Sequence, residues 1–333
     1  MKSSKVALGL FGAFATSLFL DGCGGNGDSG ATGTNSAGPT SYITMVHFGA
    51  IAVNNAGGIL GQSEYLTPSR ATVHFNEVDD YSVPVMSVND SGVVVGQDLR
   101  GEATYWVNGV AAKLKVPAGA TSSSATSIND AGQIVGWDQV NTAEPSILYW
   151  KSASATPIVL PVKFIPVQIG KNGDVVGWIA PSAANLTGTL TYYRYNVNTG
   201  TGPVAIATES SEGTWLPRIA LNATGTVVLR TPSNAAVIPV SGPGENIDGK
   251  VSNLSINDQG DVVGYLLDSS GSHSFIWAKS RGAVNLATFL PKKSGWTNLA
   301  AVSINDNGQV VGNGSLNGVP LQSFLLQLPS GAF

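Results

Sequence analysis

The sequence predicts an all-β chain, a seven-bladed propeller of four-stranded antiparallel blades. Three observations lead there. First, a ten-residue motif recurs seven times: AVNNAGGILG (52–61), SVNDSGVVVG (87–96), SINDAGQIVG (127–136), QIGKNGDVVG (168–177), ALNATGTVVL (220–229), SINDQGDVVG (255–264) and SINDNGQVVG (303–312). Second, their turn glycines, Gly57, Gly92, Gly132, Gly173, Gly225, Gly260 and Gly308, lie 35, 40, 41, 52, 35 and 48 residues apart, about one propeller blade per repeat. Third, the chain between them alternates short apolar runs with turn residues and holds no useful helix-period segment.

Within a repeat, the N-D-x-G segment reads as a hairpin turn. Asn bonds nearby backbone, and Gly supplies the positive φ of a type I turn with a following bulge. The flanking apolar runs are the first two strands. A third follows a variable loop, as in ATYWVNG (103–109), SILYWK (146–151) and HSFIWAK (273–279), and the fourth is a β-branched run such as PIVLPV (157–162) or GAVNLATFL (282–290). The last repeat has a third strand, QSFLLQL (322–328), but no fourth, whereas YITMVHF (42–48) precedes the first motif unassigned. Pairing these two closes the ring and removes its exposed edges.

Residues 1–22 read as an export signal. Lys2 and Lys5 precede an apolar run over 6–20, too short to span a bilayer. The segment Leu20-Asp21-Gly22-Cys23 resembles a bacterial lipobox, which implies lipidation at Cys23, the sole cysteine. Residues 23–40 are Gly/Ser-rich and read as a flexible tether, so the propeller domain is expected over 41–333. A single cysteine excludes an intramolecular disulfide. Losing Lys2, Lys5 and Asp21 leaves 15 basic and 20 acidic residues, with no basic patch for nucleic acid. Charged residues are 11% of the chain against roughly 25% in ordinary domains, a bias common in exported β proteins.

The repeat and its third strand resemble the bacterial extracellular HAF repeat, an Asn-x-x-Gly-x-Val-Val-Gly turn followed by His-Ala-Phe and an aromatic strand. The sixth repeat matches best, with SINDQGDVVGY (255–265) followed by His273-Ser274-Phe275-Ile276-Trp277. The resemblance implies export and a propeller-like fold, without a known activity. The fourth and fifth repeats depart from it, with Gly170 at the turn Asn and Leu229 at the second Gly, and distortion is expected in those blades.

Chemistry is sparse. His47, His74 and His273 lie in predicted strands and read as structural, and no metal, nucleophile-elbow or phosphate-loop motif is present. No catalytic residue, metal or cofactor is predicted. Asp90, Asp130, Asp258 and Asp306 share one turn slot, so turn stabilisation accounts for them, and a ring should space them too widely to act as a pair. Glu209, Glu212 and the stretch from Glu77 to Asp80 are non-repeating carboxylates assigned to loops, where a repeat fold keeps its function. The residue after the second motif Gly is Gln62, Gln97, Trp137, Trp178, Tyr265 or Asn313. These leave the second strand on the face opposite the N-D-x-G turns, and such a set suits stacking on sugar rings or gripping a polypeptide. Packing between blades is the other reading of Trp137 and Trp178. The function expected is a monomeric, lipid-anchored, surface-exposed binding module for a carbohydrate or protein, with a propeller hydrolase or lyase as the alternative.

Overall fold

The computed structural model describes residues 41–78, 85–141, 144–179, 187–212, 219–231, 233–269 and 271–329. The signal, Cys23 and the tether lie outside them, as do Asp79 and Asp80. Seven four-stranded antiparallel sheets form the seven blades. One short 3-10 turn, Leu286–Phe289, interrupts them where the run 282–290 was expected to be strand throughout. The Asn285 side chain caps that turn by accepting the Ala287 N–H, so the fourth strand of blade six stops at Asn285.

The first strand of each blade is innermost, packing against first strands of neighbouring blades. Each N-D-x-G turn closes as expected: Asn129 N–H donates to Gln133 O at 3.0 Å, Gly132 N–H donates to Asn129 O at 2.9 Å, and Gly132 takes φ 75°. In blades two, three, four, six and seven the first strand bulges opposite the second motif glycine, as between Ala125 and Ser127. Blade five is more regular than expected, since Ile219, Ala220 and Leu221 pair with Leu229, Val228 and Val227 without a register shift.

Tyr42–Val46 pairs antiparallel with Val319–Gln327, from Tyr42 opposite Gln327 to Val46 opposite Ser323, so the N-terminal strand supplies the fourth strand of blade seven. The core lies between blades as a series of apolar clusters. One joins Val135, Trp137 and Tyr149 of blade three to Phe164, Ile169 and Val175 of blade four, and another joins Trp178 and Tyr192 of blade four to Ile219, Leu221 and Leu229 of blade five. Burial of such side chains, at roughly 25 cal/mol per Å², is what holds one blade against the next.

Candidate functional site

A meander of this kind has two faces. One carries the N-D-x-G turns and the hairpins joining third to fourth strands. The opposite face carries the turns between second and third strands and the connections between blades.

On the turn face the motif residues hold blade to blade. Each turn Asn accepts, through Oδ1, the N–H four residues on, as Asn305 does from Gln309 at 2.9 Å. Its Nδ2 donates to the corresponding carbonyl of the next blade: Asn54 to Asn89, Asn89 to Asn129, Asn129 to Gly170, Asn222 to Asn257, Asn257 to Asn305, and Asn305 back to Asn54. The ring lacks one member, at Gly170, where there is no side chain. There Gln168 exchanges two hydrogen bonds with Leu221, at 2.8 and 2.9 Å, restoring the link to blade five.

The adjacent Asp slot forms a second, partial circle of five links, open on both sides of blade four, where the slot holds Lys171 and, in blade five, Ala223. Asp90 accepts the N–H of Asn55, Asp130 that of Asp90, Asp258 that of Ala223, Asp306 that of Asp258, and Asn55 that of Asp306, all at 2.7–2.9 Å. This corrects the assignment of these acids to turn stabilisation within one blade. It also corrects their expected isolation. Burial raises the Asp90 carboxyl above its ordinary value, the Asn55 N–H opposes that, and the charge of Asp130 adds to it. Asp306 is raised by burial and by the charges of Asp258 and Asp90, against the Asp258 N–H. A folded carboxyl that holds its proton more tightly than the unfolded one binds more protons in the folded state. Stability must therefore rise as pH falls through the raised values and level off below the ordinary one. From these two groups a higher Tm near pH 4 than at pH 7.5 is expected, and replacing Asp90 and Asp306 with Asn, which keeps the acceptor as Asn55 does, should flatten that slope in thermal melts.

A third set of latches uses hydroxyls. Ser87, Ser127, Ser255 and Ser303 each accept an N–H from the first strand of the following blade, at 3.2–3.3 Å. Ser274, the middle residue of the His-Ser-Phe segment, donates to Leu299 O and accepts Ala301 N–H, both at 2.7 Å, and Ser323 accepts Ala50 N–H at 3.2 Å. Phe275 and Phe324 are fully buried beside them.

The residues predicted to form a rim divide three ways. Trp137 and Trp178 are 5% and 1% exposed, inside the inter-blade clusters above, so packing accounts for both and neither offers its ring to solvent. Gln97 reaches across to blade three, donating to Ser123 O at 2.8 Å, and Asn313 accepts the Ser323 hydroxyl at 2.6 Å. Gln62 and Tyr265 are half-buried. The face opposite the turns also exposes aliphatic groups, among polar ones such as Arg100, Glu102, Asn141 and Asn317: Leu99, Val140, Leu267, Val319 and Leu321, at 39–55% exposure, lie at or beside the second-to-third-strand turns of blades two, three, six and seven.

Acids also gather in two places away from the motif. Lys113 meets Asp98, Glu102 at 3.2 Å and Glu77 at 3.4 Å, while Asp98 Oδ1 also accepts the Arg100 and Glu102 N–H groups. Three carboxylates thus surround a cation on the outer strand of blade two, not an open space. Glu209 was expected in a loop but lies in the strand Thr201–Glu212. Its Oε1 accepts the hydroxyl of the fully buried Tyr192 at 2.6 Å. Burial raises the Glu209 carboxyl, opposed by that hydroxyl and by the charge of Arg230. Burial first, then Glu209, pushes the Tyr192 phenol far up. The pair joins the third and fourth strands of blade four. On the turn face, a groove of about 210 Å³ lies between Tyr65, Phe75, Asp90 and Gly109, below the roughly 300–1,000 Å³ of ordinary small-molecule sites.

No family model matches the chain, and no curated protein matches it. Solved structures do. The chain is similar to one described as YCF48 bound to D1 peptide (11% identity, TM-score 0.52, covering 89% of this chain and 98% of that one). It is similar to the β-propeller domain of the Trilobed protease from Pyrococcus furiosus, described as having an open velcro topology (9% identity, TM-score 0.54, covering 86% and 95%). It also matches about half of a puromycin-hydrolysing peptidase from Mycobacterium tuberculosis (11% identity, TM-score 0.56, covering 86% of this chain and 52% of that one). At such identities the likeness is one of fold, and this chain shares the β-propeller architecture.

Proposed function

We propose that this protein is an exported, lipid-anchored, non-catalytic binding module of the HAF-repeat kind, taking a protein or carbohydrate ligand on the face opposite its N-D-x-G turns. The observation that carries this reading is the division of labour between the faces. The recurring polar side chains of the turn face are engaged in latches between blades, with Val107, Val110 and Val240 exposed only at its outer hairpins, whereas Leu99, Val140, Leu267, Val319 and Leu321 stand exposed on the other face, where no such latches occupy the motif residues. Exposed aliphatic groups spread over several turns supply contact area, and the acids Asp98, Glu77 and Glu102 are occupied by Lys113. The entry of the chain supports the same orientation. Tyr42 pairs with Gln327, which pairs with Gln309 just beyond the last N-D-x-G turn. A tether through Cys23 would therefore join the disc on the turn face, and the aliphatic face is the one opposite that attachment.

Binding of the purified protein to glycan and peptide arrays tests the reading, with Leu99→Asp, Leu267→Asp and Leu321→Asp as variants. Loss of a bound ligand in these variants, with unchanged melting, is the expected result. Binding that survives all three substitutions, or turnover of an arrayed ligand, contradicts it. Cys23→Ser should release the protein from the membrane fraction.

A further inference from the structure

Blade one departs from the motif at the residue after its turn glycine. Blade three has Gln133 there, whose Nε2 donates to Tyr149 Oη at 2.7 Å and to Asn198 Oδ1 at 2.9 Å, so side chains fill the space beside that tyrosine. Blade one has Gly58 instead. Tyr65, which takes the place of Tyr149 in the register, lies over it, and a Cβ on Gly58 would stand 1.9 Å from the Tyr65 Oη. From blade two, Gly92 approaches the same ring, with its Cβ position 3.3 Å from Tyr65 Cε1, and its φ of 77° favours glycine there. The groove of about 210 Å³ on the turn face lies between these elements.

That groove combines apolar walls with one acid. Tyr65, Pro68, Val73 and Phe75 line it from blade one, and Asp90 lines it from blade two. The Tyr65 hydroxyl accepts Asn54 Nδ2 at 3.1 Å, which leaves it a further lone pair. Asp90 Oδ1 accepts the Asn55 N–H at 2.7 Å, so the carboxylate is held in place with acceptor capacity to spare. Among the described residues no cation pairs with Asp90. At the rim, Val107 and Val110 flank the Asn108–Gly109 turn at 44% and 65% exposure.

We propose that this groove takes the side chain of a lysine presented by a partner polypeptide, with its methylenes against Tyr65, Val73 and Phe75 and its ammonium at Asp90. Volume and charge select this occupant. A space of about 210 Å³ suits a single side chain, and the exposed valines offer contact area to the chain that carries it. An uncharged apolar side chain would strip water from Asp90 and give nothing back, and an anion would be repelled by Asp90 and by Asp130, whose charge acts on it. A guanidinium is best met by two carboxylate oxygens, one of which Asn55 already engages here. An ammonium, as a point charge, has no such need. The groove lies on the face opposite the ligand surface proposed above, so the two readings fail separately.

Chemical shifts of the Asp90, Gly92 and Gly109 amides in the purified chain, followed as Nα-acetyl-lysinamide is added, test the inference. Saturable shifts with a midpoint of roughly 1 to 10 mM are expected, the range of one small contact. Nα-acetyl-norleucinamide, which has the stem without the ammonium, should bind at least tenfold more weakly. Asp90→Asn, which keeps an acceptor for Asn55, should weaken the lysine probe at least tenfold, whereas Asp258→Asn, in the same slot of blade six, should leave its affinity unchanged. If Asp90→Asn fails to fold, the two probes on the parent chain still decide. No saturation by about 50 mM, equal binding of the norleucine probe, or an affinity unchanged by Asp90→Asn overturns the inference. Equal binding of O-phosphoethanolamine, a lipid headgroup whose phosphate would stand near Asp90 and Asp130, overturns it as well.

Discussion

Gly312→Ala is expected to destabilise the protein by about 3 kcal/mol, at the upper end of what overpacking causes. A Cβ at Gly312 would stand 2.2 Å from Ala300 O and 2.8 Å from Ala301 Cα, both backbone atoms of the innermost strand. The same collision awaits at Gly136 with Ser124 O at 2.0 Å, at Gly177 with Ile165 O at 2.0 Å, and at Gly264 with Asn253 O at 2.2 Å. In each case the first strand bulges opposite the glycine and its carbonyl fills the space a side chain would occupy. Blade five shows the converse. Where Leu229 stands, the first strand has no bulge, and Leu229 is buried in the cluster with Trp178 and Tyr192. Urea titrations of Gly312→Ala and Gly136→Ala check this, and midpoints unchanged from the parent would contradict the close approach.

Removing residues 41–46 should abolish cooperative folding, a loss of at least about 5 kcal/mol and comparable with the whole stability of many domains. Five residue pairs join Tyr42–Val46 to the third strand of blade seven. Val46 is buried with Val53, Ile59, Val311 and Leu325, so it binds blade seven to blade one, while Ile43 packs on the cluster of Phe324 and Leu326. Without it, the apolar strand Val319–Gln327 becomes a nine-residue free edge, an aggregation template. A chain starting at residue 47 should therefore precipitate or melt broadly, whereas one starting at residue 41 should unfold in a single transition. Equal melting of the two would show that closure contributes little.

Much of this architecture is legible in the repeats. Gly at the fourth turn position, period-two apolar runs and the complementary missing strands specify seven hairpins and their closure, because each depends on residues near in sequence or at the chain ends. The roles of Asn, Asp and Ser in the motif were legible only in part. Asp306 accepts from Asp258, 48 residues away, and Asn305 donates to Asn54, 251 away. Local turn chemistry accounts for an Asn-Asp pair equally well, so nothing in one repeat reveals its second partner. The aromatic pattern left rim and packing readings both open for a related reason. Trp137 and Trp178 follow the motif at the end of a strand, which looks like a rim until the neighbouring blade supplies Phe164 and Ile219 to cover them. The fourth strand of blade four was missed because Thr201–Glu212 mixes Ala, Thr, Ser and Glu and carries little of the apolar alternation that marks a half-buried strand.

The central claim is that the repeated polar residues form rings of latches between blades, interrupted on the two sides of blade four. Native-state hydrogen exchange tests it most directly, residue by residue. Amides of Asn55, Asp90, Ala223, Asp258 and Asp306 each donate to a carboxylate or amide oxygen of the following blade, although in an isolated hairpin this turn position faces water. Lys171 replaces the acceptor in blade four, so the Asp130 amide meets no carboxylate there. Asn55, Asp90, Ala223, Asp258 and Asp306 should exchange slowly, and Asp130 should exchange at the rate of a solvated turn. Uniformly fast exchange at all six amides would contradict the latches, and slow exchange at Asp130 would contradict the break.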